Sequence, residues 1–260
     1  MENIDNLNGK RILVTRPQQQ AHNLISLIEQ HGGQAIAFPT LEIVAIENSQ
    51  VAKQQLENLK AYQWLIFISA NAVNFAVTAN NGKIRDFTQT KIAAVGKATA
   101  KALENAGLSV DVVPETGFNS EALLATTALQ HVQNQHILIV RGVGGRETLA
   151  QELQKRGAIV DYWEVYQRKI PKTDTAPVVD LLTQQQLDWL TVTSSEALQN
   201  LITMLETEKT LLLKIPLVVI SERIKQIAAS IGFKTIVVSS SPDDTAILNT
   251  MIMLTNGEGQ

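Results

Sequence analysis

Short apolar runs rich in valine and isoleucine alternate along this chain with longer stretches in which leucine, isoleucine and alanine recur every three or four residues. A strand covered on both faces is apolar throughout, whereas a surface helix buries one stripe, so the alternation predicts a parallel sheet with helices on its faces. Strands are predicted at 11–15, 34–38, 64–68, 92–95 and 110–113, and again at 137–140, 158–162, 189–193, 217–220 and 235–238. Helical spacing is clearest at 21–30, 98–106, 147–155 and 224–229, and Gly107, Gly157 and Gly232 stand where such helices would close on a left-handed residue. Ten strands are too many for one ordinary doubly wound sheet.

Internal similarity divides them. Ile12-Leu13 recurs as Ile137-Leu138, Arg16 as Arg141, Leu24 as Leu149 and Gly32 as Gly157. Trp64-Leu65 recurs as Trp189-Leu190, Ser69 as Ser194, Ala72 as Ala197, Gly107 as Gly232 and Val112-Val113 as Val237-Val238. Every pair stands 125 residues apart, from Ile12 and Ile137 to Val113 and Val238. One register kept across about a hundred residues points to tandem duplication of a five-stranded α/β unit. Each half can fold by itself, or the halves can exchange their first strand-helix-strand piece. The segments 38–44 and 162–168 stay extended and apolar beyond an ordinary strand length, as two crossings between domains would, and the pattern leaves both arrangements open.

Composition narrows the chemistry. The 260 residues are 45% hydrophobic and 18% charged, enough apolar material for one or two cores and too much for a disordered chain. With no cysteine there is no disulfide, thiolate zinc site, iron–sulfur cluster or cysteine nucleophile, and the four histidines lack a second ligand at metal spacing. No metal or cofactor is expected. The first ten residues, MENIDNLNGK, lack the apolar core of a secretory signal, and no run approaches the roughly 20 apolar residues that cross a bilayer, so a soluble, cytoplasmic protein with no membrane partner is expected. A net charge of −3 without basic blocks argues against nucleic acid. At first sight it argues against an anionic ligand as well, but surface charges beyond a Debye length of roughly 8 Å are screened, so anion capture depends on local dipoles.

Those dipoles have a place. In open α/β sheets ligands bind beyond the carboxyl ends of the strands, where helix N-termini present unpaired N–H groups. Here these positions read Arg16, then Ser69-Ala70-Asn71, Gly96-Lys97-Ala98-Thr99, Arg141-Gly142, Ser194-Ser195 and Ser221-Glu222-Arg223. Each hydroxyl or amide has a plain alternative as a helix cap, and each arginine as a tether for a neighbouring loop. Repetition of the set on both halves is what marks Arg16, Ser69, Ala70, Asn71, Gly96, Lys97, Thr99, Arg141, Ser194, Ser195, Ser221 and Arg223 as candidate anion contacts. The glycine-rich turn 142–146 lacks the spacing of a dinucleotide loop, and neither half has the lysine-serine ending of a P-loop. Tyr166 lies in a crossing segment, where a phenol, protonated at neutral pH with an ordinary pKa of ~10, can act as a general acid.

Taken in order, Ile12-Leu13-Val14-Thr15-Arg16-Pro17, Phe67-Ile68-Ser69-Ala70-Asn71-Ala72-Val73, Ala94-Val95-Gly96-Lys97-Ala98-Thr99-Ala100 and Leu138-Ile139-Val140-Arg141-Gly142 resemble the uroporphyrinogen-III synthase family. So do Gly145-Arg146-Glu147-Thr148-Leu149, Val165-Tyr166-Gln167-Arg168, Thr193-Ser194-Ser195 and Ser221-Glu222-Arg223, and the resemblance runs from Arg11 to Leu254. It implies two similar five-stranded, parallel-sheet, flavodoxin-like domains with exchanged first βαβ segments. One would hold residues 9–38 and 172–260, the other 44–164, joined by extended linkers at 39–43 and 165–171, with the active site in the cleft. The implied substrate is hydroxymethylbilane, a linear tetrapyrrole with eight carboxylates, cyclised to uroporphyrinogen III with loss of water and inversion of the last ring through a spiro intermediate. The family's tyrosine maps onto Tyr166 and its threonine onto Thr99; no metal or cofactor is implied, and a monomer in transient contact with hydroxymethylbilane synthase is. Ser221-Glu222-Arg223 departs from the glycine and threonines of some relatives, which leaves the direction of Glu222 open. The competing class is a non-catalytic two-domain binder of small polyanions.

Overall fold

The computed structural model describes residues 6–46, 54, 56–83, 87–88 and 90–257. Two compact units divide the chain, one made of Met1–Glu42 with Lys169–Gln260 and the other of Ile43–Arg168. The strands among the described residues are β1 (Arg11–Val14), β2 (Gln34–Ala37), β3 (Glu42–Ala45), β4 (Trp64–Phe67) and β5 (Lys91–Ala94), then β6 (His136–Gly142), β7 (Ile159–Lys169), β8 (Trp189–Val192), β9 (Leu217–Val219) and β10 (Ile236–Val238). They form two five-stranded sheets, one in each unit, and seven of the strand pairs run parallel.

In the first unit the order is β10-β9-β8-β1-β2. Numbered along the chain within that sheet, this is the flavodoxin-like order 2-1-3-4-5, and its direction reverses between β1 and β8. Successive side chains of β1 enter opposite cores: Leu13 packs with Leu190, Val192 and Leu201, whereas Ile12 and Val14 pack with Leu24, Ile28 and Met251. A sheet covered on both faces accounts for the uninterrupted apolar strands. The β1–β8 joint is also fixed by polar groups, since Asp188 accepts from the Lys10 ammonium at 2.7 Å and the Arg11 N–H at 2.8 Å. Farther along, the buried Thr15 hydroxyl donates to the Thr191 carbonyl at 2.7 Å.

The second unit has the order β3-β7-β6-β4-β5. Leu65 and Phe67 of β4 enter one core with Leu138, Val140 and Trp163, while Trp64 and Ile66 enter the other with Leu149 and Leu153. The expected strand at 110–113 is absent; only Val112 bridges to Ala93. The Asp111 carboxylate accepts the Ile92 N–H at 2.7 Å, and Pro114, which has no N–H, stops any extension of the ladder. The fifth strand is β3 instead. The segments expected as extended linkers, 39–43 and 165–171, are in good part strand, since β3 begins at Glu42 and β7 runs to Lys169. After the last helix the chain turns at Asn256 and Gly257.

Gly107, Gly157 and Gly232 all take positive φ at helix ends, as the spacing predicts. Gly232, at φ 113°, closes the helix Glu222–Ile231, and a Cβ there would meet only Leu213 Cδ1 at 3.5 Å. The cost of a side chain is therefore backbone strain alone, so Gly232→Ala should lose roughly 1–2 kcal/mol of stability without altering the fold. Urea unfolding followed by circular dichroism measures this, and an unchanged midpoint would contradict the strain.

Candidate functional site at the carboxyl ends of the strands

Helices begin directly after the strands, and their caps are the residues the sequence marks. Ser69 accepts from Ala72 N–H at 3.1 Å to cap Ala70–Ala79, Ser194 from Ala197 N–H at 3.0 Å to cap Ser195–Met204, and Ser221 from Ile224 N–H at 3.4 Å to cap Glu222–Ile231. Gly96 caps Lys97–Asn105 by backbone alone. The capping role of these serines and the rim role are compatible, because a cap takes one N–H and the rest of the first turn still faces outward unpaired. Ala70 and Asn71 lie in that first turn, partly exposed. Thr99 stands in the first turn of Lys97–Asn105 but is buried, at 4% exposure.

In the second unit the rim encloses a cavity of about 310 Å³ at the ends of β4, β5 and β6, lined by Ile68, Val95, Arg141, Gly142, Tyr166 and Arg168 among others. Its central feature is Tyr166. A bulge in β7 sets Arg141 opposite Glu164 but Gly142 opposite Tyr166, leaving Val165 as the extra residue. Such a bulge re-aims the chain, and here it turns both Val165 and Tyr166 inward, each 2% exposed. The phenol ring lies on Gly142, where a Cβ would come within 2.4 Å of Cε2. On its other contacts it stacks on Phe75 at 5.6 Å between centroids, with the Arg168 guanidinium carbon 5.8 Å from its own centroid. The hydroxyl lies 3.3 Å from Ser69 Oγ.

The two arginines after the first strands are engaged within their own units. Arg141 is 3% exposed; it donates to Gly142 O at 3.1 Å, to Glu147 at 3.0 Å and to Gly144 O, and it lies over the Tyr162 ring at 4.6 Å. It thus holds the 142–146 turn, the tether reading of this residue. Tyr162 also donates to Glu147. Burial, followed by that bond and the Glu147 charge, pushes the Tyr162 phenol up to about 12. The same bond, then Arg141, holds the Glu147 carboxyl below its usual value. In the first unit Arg16 pairs with Asp244 and donates to Pro242 O at 3.3 Å. Lys97 lies over the Phe118 ring at 5.0 Å.

Ser195 and Arg223 stand on the first unit's rim, Arg223 exposed. Ser195 Oγ is a buried oxygen with no hydrogen-bond partner, the one such side-chain atom among the described residues. Glu222 turns along its own helix to Lys225 at 3.4 Å, which settles its direction. Sequence reasoning passed over Phe118, Glu147, Tyr162 and Arg168. Glu147 and Arg168 lie inside motifs quoted for the family resemblance, whereas Phe118 is distinguished by conformation: it takes φ 28° and is 45% exposed at the cavity. No periodicity signals that.

The sheets and their polar rims define the class, an α/β protein whose candidate site lies at the carboxyl ends of parallel strands, next to the point where strand order reverses. A family model described as uroporphyrinogen-III synthase HemD matches residues 22–249. The chain is 32% identical over 243 residues to uroporphyrinogen-III synthase of Salmonella typhimurium strain LT2 and 31% identical over 243 to that of Escherichia coli K12, in both cases across 92% of this chain and 99% of the relative. Its fold matches a mutant uroporphyrinogen III synthase of the extreme thermophile Thermus thermophilus at TM-score 0.62 and 15% identity, covering 96% of this chain and 100% of that one. The enzyme of Helicobacter pylori 26695 matches at TM-score 0.62 and 14% identity, over 94% and 99%. The chain belongs to the uroporphyrinogen-III synthase family.

Two outcomes test the geometry. Gly142→Ala should displace Tyr166 and cost about 1–3 kcal/mol, as overpacking does, with a changed near-ultraviolet tyrosine signal; a signal identical to the parent's would contradict the seating. Because the Tyr162 value is raised, its bond stabilises the fold fully below its ordinary value of 10.0 and is lost as pH climbs through about 12. Because Glu147 is lowered, its contribution is present above 4.5 and fades as pH falls below that. Glu147→Gln should therefore bring the Tyr162 transition below about 12 in an ultraviolet absorbance titration, assigned by Tyr162→Phe.

Proposed function

We propose that this protein is a uroporphyrinogen-III synthase, a carbon–oxygen lyase that cyclises hydroxymethylbilane to uroporphyrinogen III with inversion of the last pyrrole ring. Family membership supports the reaction, and one observation supports its location: a phenol, Tyr166, buried against Gly142 at the cavity where the second unit's strand order reverses.

The substrate's terminal hydroxyl is a poor leaving group unless protonated. Tyr166 gives its proton to that oxygen, the carbon–oxygen bond breaks, and water departs while the pyrrole nitrogen's electron pair forms the azafulvenium cation. The substituted carbon of the last ring attacks that cation to give the spiro intermediate, which fragments and recloses with the ring inverted. The proton lost when the final ring regains aromaticity returns to the phenolate, so the sum is loss of one water. Because the open chain can close without help to the wrong isomer, the protein's main contribution is positional, keeping the substituted carbon nearer than the free one.

The carboxylate arms are assigned to neutral donors first. Ser69, Ala70, Asn71 and Gly96 supply helix-start N–H groups, Ser194, Ser195 and Ser221 hydroxyls as well, and the partnerless Ser195 oxygen supports a ligand there, since an unmade bond at a buried hydroxyl is costly. Lys97, Arg223 and Arg168 add charge; Arg16 and Arg141 contribute by holding their turns, and Thr99 packs beneath the rim. We further infer tandem duplication with exchange of the first βαβ pieces, with domains 9–38 plus 172–260 and 44–164. In support, the order β2-β1-β8-β9-β10 is matched, under the shift of 125 residues, by β7-β6-β4-β5 followed by the Val112 bridge. A monomeric cytoplasmic enzyme that meets hydroxymethylbilane synthase transiently completes the reading.

The test supplies hydroxymethylbilane freshly generated by the preceding enzyme, oxidises the products and separates the isomers. Predominant type III isomer is expected, with turnover reduced severalfold or more in Tyr166→Phe. Type I at the uncatalysed rate would show a binder instead of a synthase, and full turnover in Tyr166→Phe would remove the phenol from the chemistry.

A further inference from the structure

Ser69 does two things at once. Its oxygen accepts the Ala72 N–H at 3.1 Å, which caps the ten-residue helix Ala70–Ala79, and the same oxygen lies 3.3 Å from the Tyr166 hydroxyl. We propose that Ser69 is a positioning residue for Tyr166, its hydroxyl donating to the phenol oxygen and carrying to it the positive end of that helix. The inference rests on the reading of Tyr166 as the proton donor.

A serine hydroxyl has one hydrogen and two lone pairs. Ala72 uses one lone pair, and the N–H that it supplies polarises the O–H in turn, so the chain N–H to Oγ–H to phenol oxygen runs in one direction and each bond strengthens the next. This arrangement leaves the phenol's own hydrogen free to point toward a ligand. When that proton leaves, the phenol oxygen gains charge and the Ser69 bond becomes charge-assisted, about twice as strong as its neutral form. The stabilisation therefore grows along the reaction coordinate, which is what lowers a barrier instead of tightening a ground state. Tyr166 cannot turn away from Ser69, because its ring is held by Gly142 and by Phe75 and is 2% exposed. The second repeat's equivalent, Ser194, caps its helix in the same way without a tyrosine partner at its oxygen among the described hydrogen bonds, so capping alone does not explain the Ser69 contact.

The two roles separate by substitution. Glycine is a tolerated N-cap, within a few tenths of a kcal/mol of serine, but has no hydroxyl, whereas threonine keeps both. In Ser69→Gly, kcat should fall about tenfold or more with KM within about twofold of the parent, as removal of one donor to a developing oxyanion does. Ser69→Thr should restore most of it. In a Tyr166→Phe background the same Ser69→Gly change should cost little, and in the ligand-free protein the Tyr166 resonance of a ¹³Cζ-tyrosine sample should move in Ser69→Gly and return in Ser69→Thr. Full kcat in Ser69→Gly, an equal loss in the Tyr166→Phe background, or an unmoved resonance overturns the role of Ser69. Full turnover in Tyr166→Phe instead removes the reading beneath it, so the two failures are told apart.

Discussion

The pairing of β1 with β8 is the constraint on which the first unit rests. It joins Ile12 to Trp189 and Val14 to Thr191 across most of the chain, and after β2 the chain must leave the sheet and return. Loop-closure entropy grows only with the logarithm of length, so an excursion of this size is thermodynamically tolerable, but the contacts that compensate for it form late. The joint is reinforced accordingly. Asp188 gathers two donors at one end, and the Thr15 and Thr191 hydroxyls donate to Thr191 and Leu13 carbonyls at the other, so a slip of register by one residue would strand polar groups in the core.

The same connection determines where chemistry is possible. Strand order reverses beside β1 in one unit and beside β6 in the other, and at such a reversal the loops diverge and leave a crevice at the strand ends. The rim there is polar but sparingly charged. Arg16 and Arg141 would be costly to leave unpaired, and both are engaged by their own loops, with Asp244 and with Glu147 as partners. What the rim presents is mostly serine hydroxyl and helix N–H, groups able to bind carboxylates through fixed dipoles without dependence on net charge. A chain of net charge −3 can hold a polyanion on those terms.

Most of the fold was legible because periodicity reports burial. Trp64-Leu65-Ile66-Phe67 is apolar without alternation since both faces of β4 are covered, and Gly232 sits where a helix must close on positive φ. The failure at 110–113 has a local cause: Val110, Val112 and Val113 have strand character, but the Asp111 carboxylate takes the N–H of Ile92 and Pro114 cannot continue a ladder. β3 was hidden for the opposite reason. Glu42 and Ala45 are exposed ends of a four-residue edge strand, and nothing in Glu-Ile-Val-Ala separates an edge strand from an extended connection. At the site, Ser69 and Ser194 were legible as caps 125 residues apart, whereas the engagement of both arginines depends on partners remote in sequence or hidden in a turn.

Tyr166, the proposed proton donor, breaks the local pattern that surrounds it. Strict alternation along β7 from Trp163 would put Val165 inward and Tyr166 outward; the bulge places both inside. The inward turn is possible only because position 142 has no side chain, and it brings the hydroxyl to Ser69, which follows β4. Three features at three strand ends are thus coupled by shape: a glycine that makes room, a bulge that redirects, and a cap that meets the hydroxyl. A change at any one of them reaches the phenol without touching it, which places the determinants of this site in backbone geometry as much as in reactive groups.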